Sequence, residues 1–200
     1  MNLLDLVTWT GTFVFALTGA LKARASRMDI FGGIVMAFAT AYGGGTLRDL
    51  LIGIKPVNWI NDYIALLLVL SGTMLVFLRK EKSGRFDKAI FFTDAIGLGM
   101  FTAAGIELSL RSGLNDVYAL IMGIITATFG GLIADILRNE IPYLLKKGEL
   151  YATACAIGGT AFLILRKSSM DQHFVLFLCI MIVVGVRIYS KRKRLSLPEI

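Results

Sequence analysis

The chain has 200 residues, of which 56% are hydrophobic, with a mean hydropathy of +0.72 and a formal net charge of +7. A soluble domain of this size is far less apolar, so the composition points to a membrane. One histidine and two cysteines exclude a disulfide framework and leave nothing from which to assemble a zinc or iron site.

Seven apolar runs recur at bilayer-spanning length, roughly 3–21, 28–54, 63–78, 90–108, 117–141, 151–165 and 174–189. The first opens with Asp5 rather than a basic segment and ends in Leu21-Lys22-Ala23-Arg24 without a cleavage pattern, so it reads as a retained helix. The second contains GGGTLRDLLIGIKP at 43–56, and the fifth contains FGGLIADILRNEIP at 129–142. Both are long for one straight crossing: about 27 residues make roughly 40 Å of helix against roughly 30 Å of hydrocarbon. Their embedded glycines therefore predict helices broken or kinked at Gly43, Gly44 and Gly45 and at Gly130 and Gly131. The fourth run carries Asp94 and Glu107, the latter read as an outer-interface residue. Cys155 and Cys179 fall inside the last two runs as small buried apolar residues, and His173 reads as a solvated loop residue. Connections are short, so no separate soluble domain fits between the spans.

The chain is a duplication. At a constant offset of 86 residues, Gly44 meets Gly130, Gly45 meets Gly131, Asp49 meets Asp135 and Pro56 meets Pro142. The offset holds back through Met36/Met122, Ser26/Ser112, Gly19/Gly105, Phe15/Phe101 and Gly11/Gly97. Basic residues set the orientation, because 16 of the 21 lysines and arginines collect on one face of a seven-span chain. The positive-inside rule puts the N-terminus outside and the C-terminus in the cytoplasm of a cell inner (plasma) membrane. Three helices per repeat is an odd number, so the second copy enters the membrane inverted. The expected all-α architecture is a first three-helix repeat at 3–80, an inverted second repeat at 90–166, a seventh helix at 174–190 and a basic cytoplasmic tail at 191–200. A pseudo-two-fold axis in the membrane plane then brings the second and fifth helices together, antiparallel.

Glycine-interrupted segments at matching places in two halves point to a transport site. Charged Asp49 and Asp135 are expensive in hydrocarbon and belong in a bundle interior or an aqueous path. With freed backbone carbonyls they are hard oxygen ligands of the kind that replace an alkali cation's hydration shell. The competing structural reading has the glycines permitting close helix packing, with each aspartate held by a nearby arginine. Arg48 precedes Asp49, and Arg138 follows Asp135 by one helical turn; each is read as a carboxylate partner or gate. Asn139 and Glu140 add polar atoms near the inner mouth. Rows of small residues through Gly11, Phe15 and Gly19, and their copies at Gly97, Phe101 and Gly105, read as scaffold. The basic runs RKEKSGR (79–85) and KRKR (191–194) read as topology signal able to meet anionic headgroups. Two opposed aspartates also suit intramembrane proteolysis, but the duplication accounts for the pair, and no enzyme is expected.

These motifs, in a seven-helix chain of two inverted triplets, resemble the trimeric intracellular cation (TRIC) channel family from Leu4 to about Tyr189. The resemblance implies a homotrimer with one pore per subunit, lined mainly by the second and fifth helices and passing monovalent cations, chiefly potassium. It maps the kinked glycine segments onto Gly43, Gly44, Gly45, Gly130 and Gly131, so that potassium or sodium would bind transiently near Gly44, Asp49, Gly130 and Asp135. No tightly bound metal, cofactor or nucleic-acid partner is expected. The same motifs are similar to a bacterial family linked to glycine uptake, in which an arginine and an aspartate follow the glycines in both halves. Here Ala134 stands where that second arginine would be, which favours the channel over a secondary transporter of a small zwitterion.

Overall fold

The computed structural model describes residues 3–79, 86–147 and 150–198. Among them run seven α-helices: α1 (Leu3–Ala25), α2 (Ile30–Ile52), α3 (Tyr63–Leu78), α4 (Phe86–Arg111), α5 (Asp116–Leu137), α6 (Ala152–Arg166) and α7 (Gln172–Lys193). Five are long and apolar enough to cross a membrane, while α3 and α6 are shorter apolar helices. Most of the basic run at 79–85, from position 80 on, and the last two residues of the tail lie outside the described residues.

The duplication is written into the backbone. Asp29 caps α2 by accepting the Gly32 N–H at 2.7 Å, and its counterpart Asn115 caps α5 by accepting the Tyr118 N–H at 3.1 Å. Both caps follow a left-handed residue, Arg27 (φ 58°) and Gly113 (φ 88°). Both helices also end on one, Gly53 (φ 77°) and Asn139 (φ 56°). There the N–H of Ile54 reaches the Asp49 carbonyl at 2.8 Å, and the N–H of Glu140 reaches the Asp135 carbonyl at 3.0 Å. Each pair is separated by the same offset that the sequence shows.

Contacts give the relative direction of the two copies. Along α1 and α4, Gly11 lies beside Phe101, Phe15 beside Gly97, and the Thr18 and Thr93 hydroxyls are 2.8 Å apart, so the two helices run antiparallel. The Phe15 and Phe101 rings meet at a centroid distance of 5.0 Å. Along α2 and α5 the pairs are Thr40 with Gly130 and Gly44 with Thr126, which the offset exchanges for one another. The second triplet is thus inverted relative to the first, and α7 packs on α4 and α6.

The expected breaks in the second and fifth helices are not there. α2 runs without interruption through Gly43, Gly44 and Gly45, and α5 through Gly130 and Gly131. The physical reason is close approach: a Cβ on Gly44 would lie 2.1 Å from the Thr126 carbonyl oxygen, and one on Gly130 would lie 2.1 Å from the Thr40 carbonyl oxygen. The helices keep their own hydrogen bonds and use the missing side chains to press backbone on backbone. The two helices are also shorter than the runs suggested, at 23 and 22 residues, or about 35 Å each.

This contrast separates neighbouring glycines. Gly44→Ala or Gly130→Ala forces α2 and α5 apart and should cost about 1–3 kcal/mol or more of stability. Gly45→Ala meets nothing closer than an Arg48 nitrogen at 3.8 Å, and should be neutral or stabilising by up to about 1 kcal/mol through helix propensity. Thermal unfolding of the purified variants measures both, and equal melting temperatures for Gly44→Ala and Gly45→Ala would remove the contact from the account.

Candidate functional site

Two buried carboxylates sit at opposite ends of the α2/α5 contact. Asp49 lies in the last turn of α2 and is 1% exposed. Its Oδ1 accepts from Arg48 Nη2 at 2.7 Å, Arg48 Nε at 3.0 Å and Asn58 Nδ2 at 3.2 Å, and its Oδ2 accepts the Asn58 backbone N–H at 2.8 Å. Asp135 lies in the last turn of α5 and is also 1% exposed. Its Oδ1 accepts from Lys22 Nζ at 2.7 Å, and its Oδ2 accepts the Tyr143 backbone N–H at 3.0 Å. In each copy the chain just beyond the proline of the motif folds back and donates a backbone N–H. Each carboxylate thus trades water for fixed donors and one cation.

The cations differ. At the Asp49 end Arg48 serves, from the adjoining position of the same helix. At the Asp135 end the partner is Lys22, which reaches across from α1 and is fully buried. Arg138 is farther, with Nη1 4.0 Å from Asp135; its closer partners are Glu140 at 2.6 Å and the Ser26 hydroxyl at 2.8 Å. Arg48 is thus a direct partner of its aspartate, whereas Arg138 stands at the rim. Behind Lys22 lies a second buried group: Tyr151 donates to Asp94 Oδ1 at 2.9 Å, and Arg187 Nη2 lies 3.5 Å from Asp94 Oδ2. Asp94 is therefore a core residue of the bundle, and Glu107 pairs with Arg111 at 2.9 Å and Arg166 at 3.4 Å.

The Asp49 end is hollow. A cavity of about 240 Å³ opens between the start of α1, the end of α2, the end of α4 and the loop before α3. Asp5, Asp49, Asp62 and Arg48 line it, with Trp9, Tyr42 and Trp59 as aromatic wall. Trp59 stacks on Tyr42 at 5.2 Å and donates to the Thr46 hydroxyl at 2.8 Å, while Trp9 donates to Asp62 at 2.8 Å. The Tyr42 hydroxyl is buried and has no hydrogen-bond partner among the described residues.

The residues singled out by the motifs fall into three places. Gly43, Gly44 and Gly130 form the contact between α2 and α5. Gly45, Arg48 and Asp49 face the cavity. Gly131, whose added Cβ would lie 2.7 Å from the Tyr151 hydroxyl, joins Asp135 and Arg138 at the other end, where Asn139 is the left-handed residue that ends α5. Sequence reasoning missed Lys22, which reads as one more cytoplasmic basic residue. Only its place beside the apolar run and opposite Leu108 in the second copy marked it out. It also missed the Tyr151 and Arg187 partners of Asp94 and the two tryptophans at the cavity.

Comparisons with known proteins agree with this organisation. The family model described as "Glycine transporter" matches residues 5–81 and again 91–167, so the two matches begin 86 residues apart and end 86 residues apart. A UPF0126 membrane protein of Vibrio cholerae is 38% identical over 200 residues, covering 98% of this chain and 82% of the relative. The UPF0126 inner membrane protein YadS of Escherichia coli is 35% identical over 201 residues, covering 96% and 95%. The structure of a TRIC trimeric intracellular cation channel orthologue from Rhodobacter sphaeroides superposes with a TM-score of 0.89 at 33% identity, covering 98% of this chain and 100% of that one. The crystal structure of a prokaryotic TRIC channel in 0.5 M KCl gives 0.87 at 32% identity, covering 97% and 98%.

The Lys22–Asp135 pair has a measurable signature. Lys22→Met or Asp135→Leu alone strands a buried charge and should cost about 3–5 kcal/mol. The double variant Lys22→Met/Asp135→Leu strands none and should lose much less than the sum. Additive losses in a double-mutant cycle would show that the two charges do not support one another.

Proposed function

This chain belongs to the trimeric intracellular cation (TRIC) channel family, and we propose that it passes monovalent cations, chiefly potassium, along a path between α2 and α5 in each subunit of a homotrimer. The observation that carries the reading is the placement of Asp49 and Asp135 at opposite ends of one glycine-lined helix contact. In this reading the repeats are 3–80 and 90–166, followed by a seventh helix at 174–190 and the basic tail. The Asp49 end faces outward and the Asp135 end faces the cytoplasm of the inner membrane, which agrees with the excess of lysine and arginine toward the Lys22 end. Arg79 and the tail lie where anionic headgroups would be met.

The parts divide the work. The cavity gathers cations: Asp5, Asp49 and Asp62 outnumber Arg48 among the described residues that line it, and a low-dielectric cleft of one sign concentrates counter-ions. The backbone contact at Gly44 and Gly130 closes the middle, so conduction requires α2 and α5 to part. Beyond it, the Lys22 ammonium sits on Asp135 and repels an arriving cation until the pair loosens. Carbonyls of Thr40 and Thr126, uncovered as the helices separate, supply the oxygen ligands for a dehydrating ion.

A second reading is favoured by one observation, the match of both repeats to the model described as "Glycine transporter". A zwitterion needs a cation free to hold its carboxylate, and Arg48 already bonds Asp49 through two nitrogens. The excess of carboxylates at the cavity therefore favours a cation.

Protein reconstituted in liposomes should let potassium run down its gradient and set a diffusion potential with no amino acid present. Asp49→Asn and Asp135→Asn should each lower that flux at low salt on the order of tenfold, equivalent to about 1.4 kcal/mol. Saturable uptake of radiolabelled glycine without measurable potassium permeability would replace the channel by the carrier.

A further inference from the structure

The two ends of the bundle are copies of one another, yet one is filled and the other hollow. The residues responsible are related by the 86-residue offset. Lys22, Asp94 and Tyr151 fill the Asp135 end; their counterparts Leu108, Thr8 and Ala65 all line the cavity at the Asp49 end. A charged stem, a carboxylate and a phenol in one copy are thus replaced by a short branched chain, a hydroxyl and a methyl in the other.

The filled end displays what its geometry accommodates. From Cβ outward the Lys22 side chain is an n-butylammonium group, with its nitrogen 2.7 Å from a carboxylate oxygen and 5.6 Å from the centre of the Tyr143 ring. The hollow end offers the same chemistry without the tether. It has carboxylates at Asp49 and Asp62, aromatic faces at Trp59 and Tyr42, and an apolar floor at Ala65 and Leu108. The Tyr42 hydroxyl, on a side chain 5% exposed, lacks a partner among the described residues and can accept an N–H from an ammonium. Five non-hydrogen atoms at about a water's 30 Å³ each need roughly 150 Å³, and the cavity holds about 240 Å³.

We propose that this cavity is a binding site for a small primary alkylammonium ion, held as Lys22 is held in the other half. A neutral alcohol lacks the charge and a zwitterion brings a carboxylate to a wall already rich in them. Quaternary ammoniums offer no N–H to Tyr42. An occupied site places a fixed cation in the mouth of the path and blocks potassium. The inference extends the cation reading of the same cavity, while its binding step is measured without any flux.

Both tryptophans of the chain line this cavity, so intrinsic fluorescence reports occupancy directly. Purified protein titrated with n-butylammonium chloride at constant ionic strength should show a saturable change that n-butanol, glycine and tetramethylammonium do not match. Tyr42→Phe should weaken binding about tenfold, the effect of one hydrogen bond to a charged group. Leu108→Lys supplies a tethered ammonium and should abolish binding; Ala65→Tyr fills the same space without charge and should do likewise. Wild-type affinity in whichever of these two assembles, or an equal response to n-butanol, overturns the proposal. Potassium flux intact with no ammonium binding sinks this inference alone, whereas binding without flux sinks the channel reading alone.

Discussion

Two backbones can touch in a helix pair only where side chains are missing from both, and the rest of this molecule is arranged around one such place. Gly44 lies against the Thr126 carbonyl and Gly130 against the Thr40 carbonyl, so α2 and α5 meet backbone to backbone. That approach fixes their crossing, which fixes where their last turns end, and so sets Asp49 and Asp135 at opposite ends of the bundle. Supporting contacts repeat the device one layer out: Gly19 presses on Met36 and Thr40, and Gly105 on Gly123 and Thr126. In a membrane, where apolar side chains gain little by leaving lipid for protein, such packing carries much of the association.

On this symmetric frame the charges are asymmetric. One carboxylate is held by its own neighbour in sequence and the other by a lysine from a different helix. The first arrangement leaves room beside it, and the second fills the room. Burial raises the stakes for both, because each ion has given up its hydration and depends on fixed donors. The bundle therefore carries a hollow, carboxylate-lined end and an end occupied by its own ammonium.

Much of this was legible in the sequence. Apolar runs of spanning length, the constant offset and the two matched motifs yield six helices in two related triplets and a seventh after them. What could not be read were distances between helices. Glycines that break a helix and glycines that let two helices touch look alike in one dimension, so the sequence of the continuous α2 and α5 reads as that of broken or kinked helices. Lys22 hid for a related reason: a basic residue at the end of an apolar run is the ordinary mark of topology, and only the partner 113 positions away distinguishes it. The cavity is hidden in the sequence because it depends on reach and packing in three dimensions: Ala65 stands where the other copy carries Tyr151, and Leu108 is shorter than the Lys22 it matches.

The Phe15 and Phe101 rings, 5.0 Å apart, are counterparts of one another as well as neighbours. A residue beside the pseudo-two-fold axis packs against its own image, so the interface there is isologous within a single chain. Changing one ring alters the surroundings of its twin, and a complementary change has to come from the same position in the other repeat. Residues far from the axis face unrelated partners and are released from that coupling. The two halves are thus tied together along the axis and independent at the ends, which is where one became hollow and the other closed.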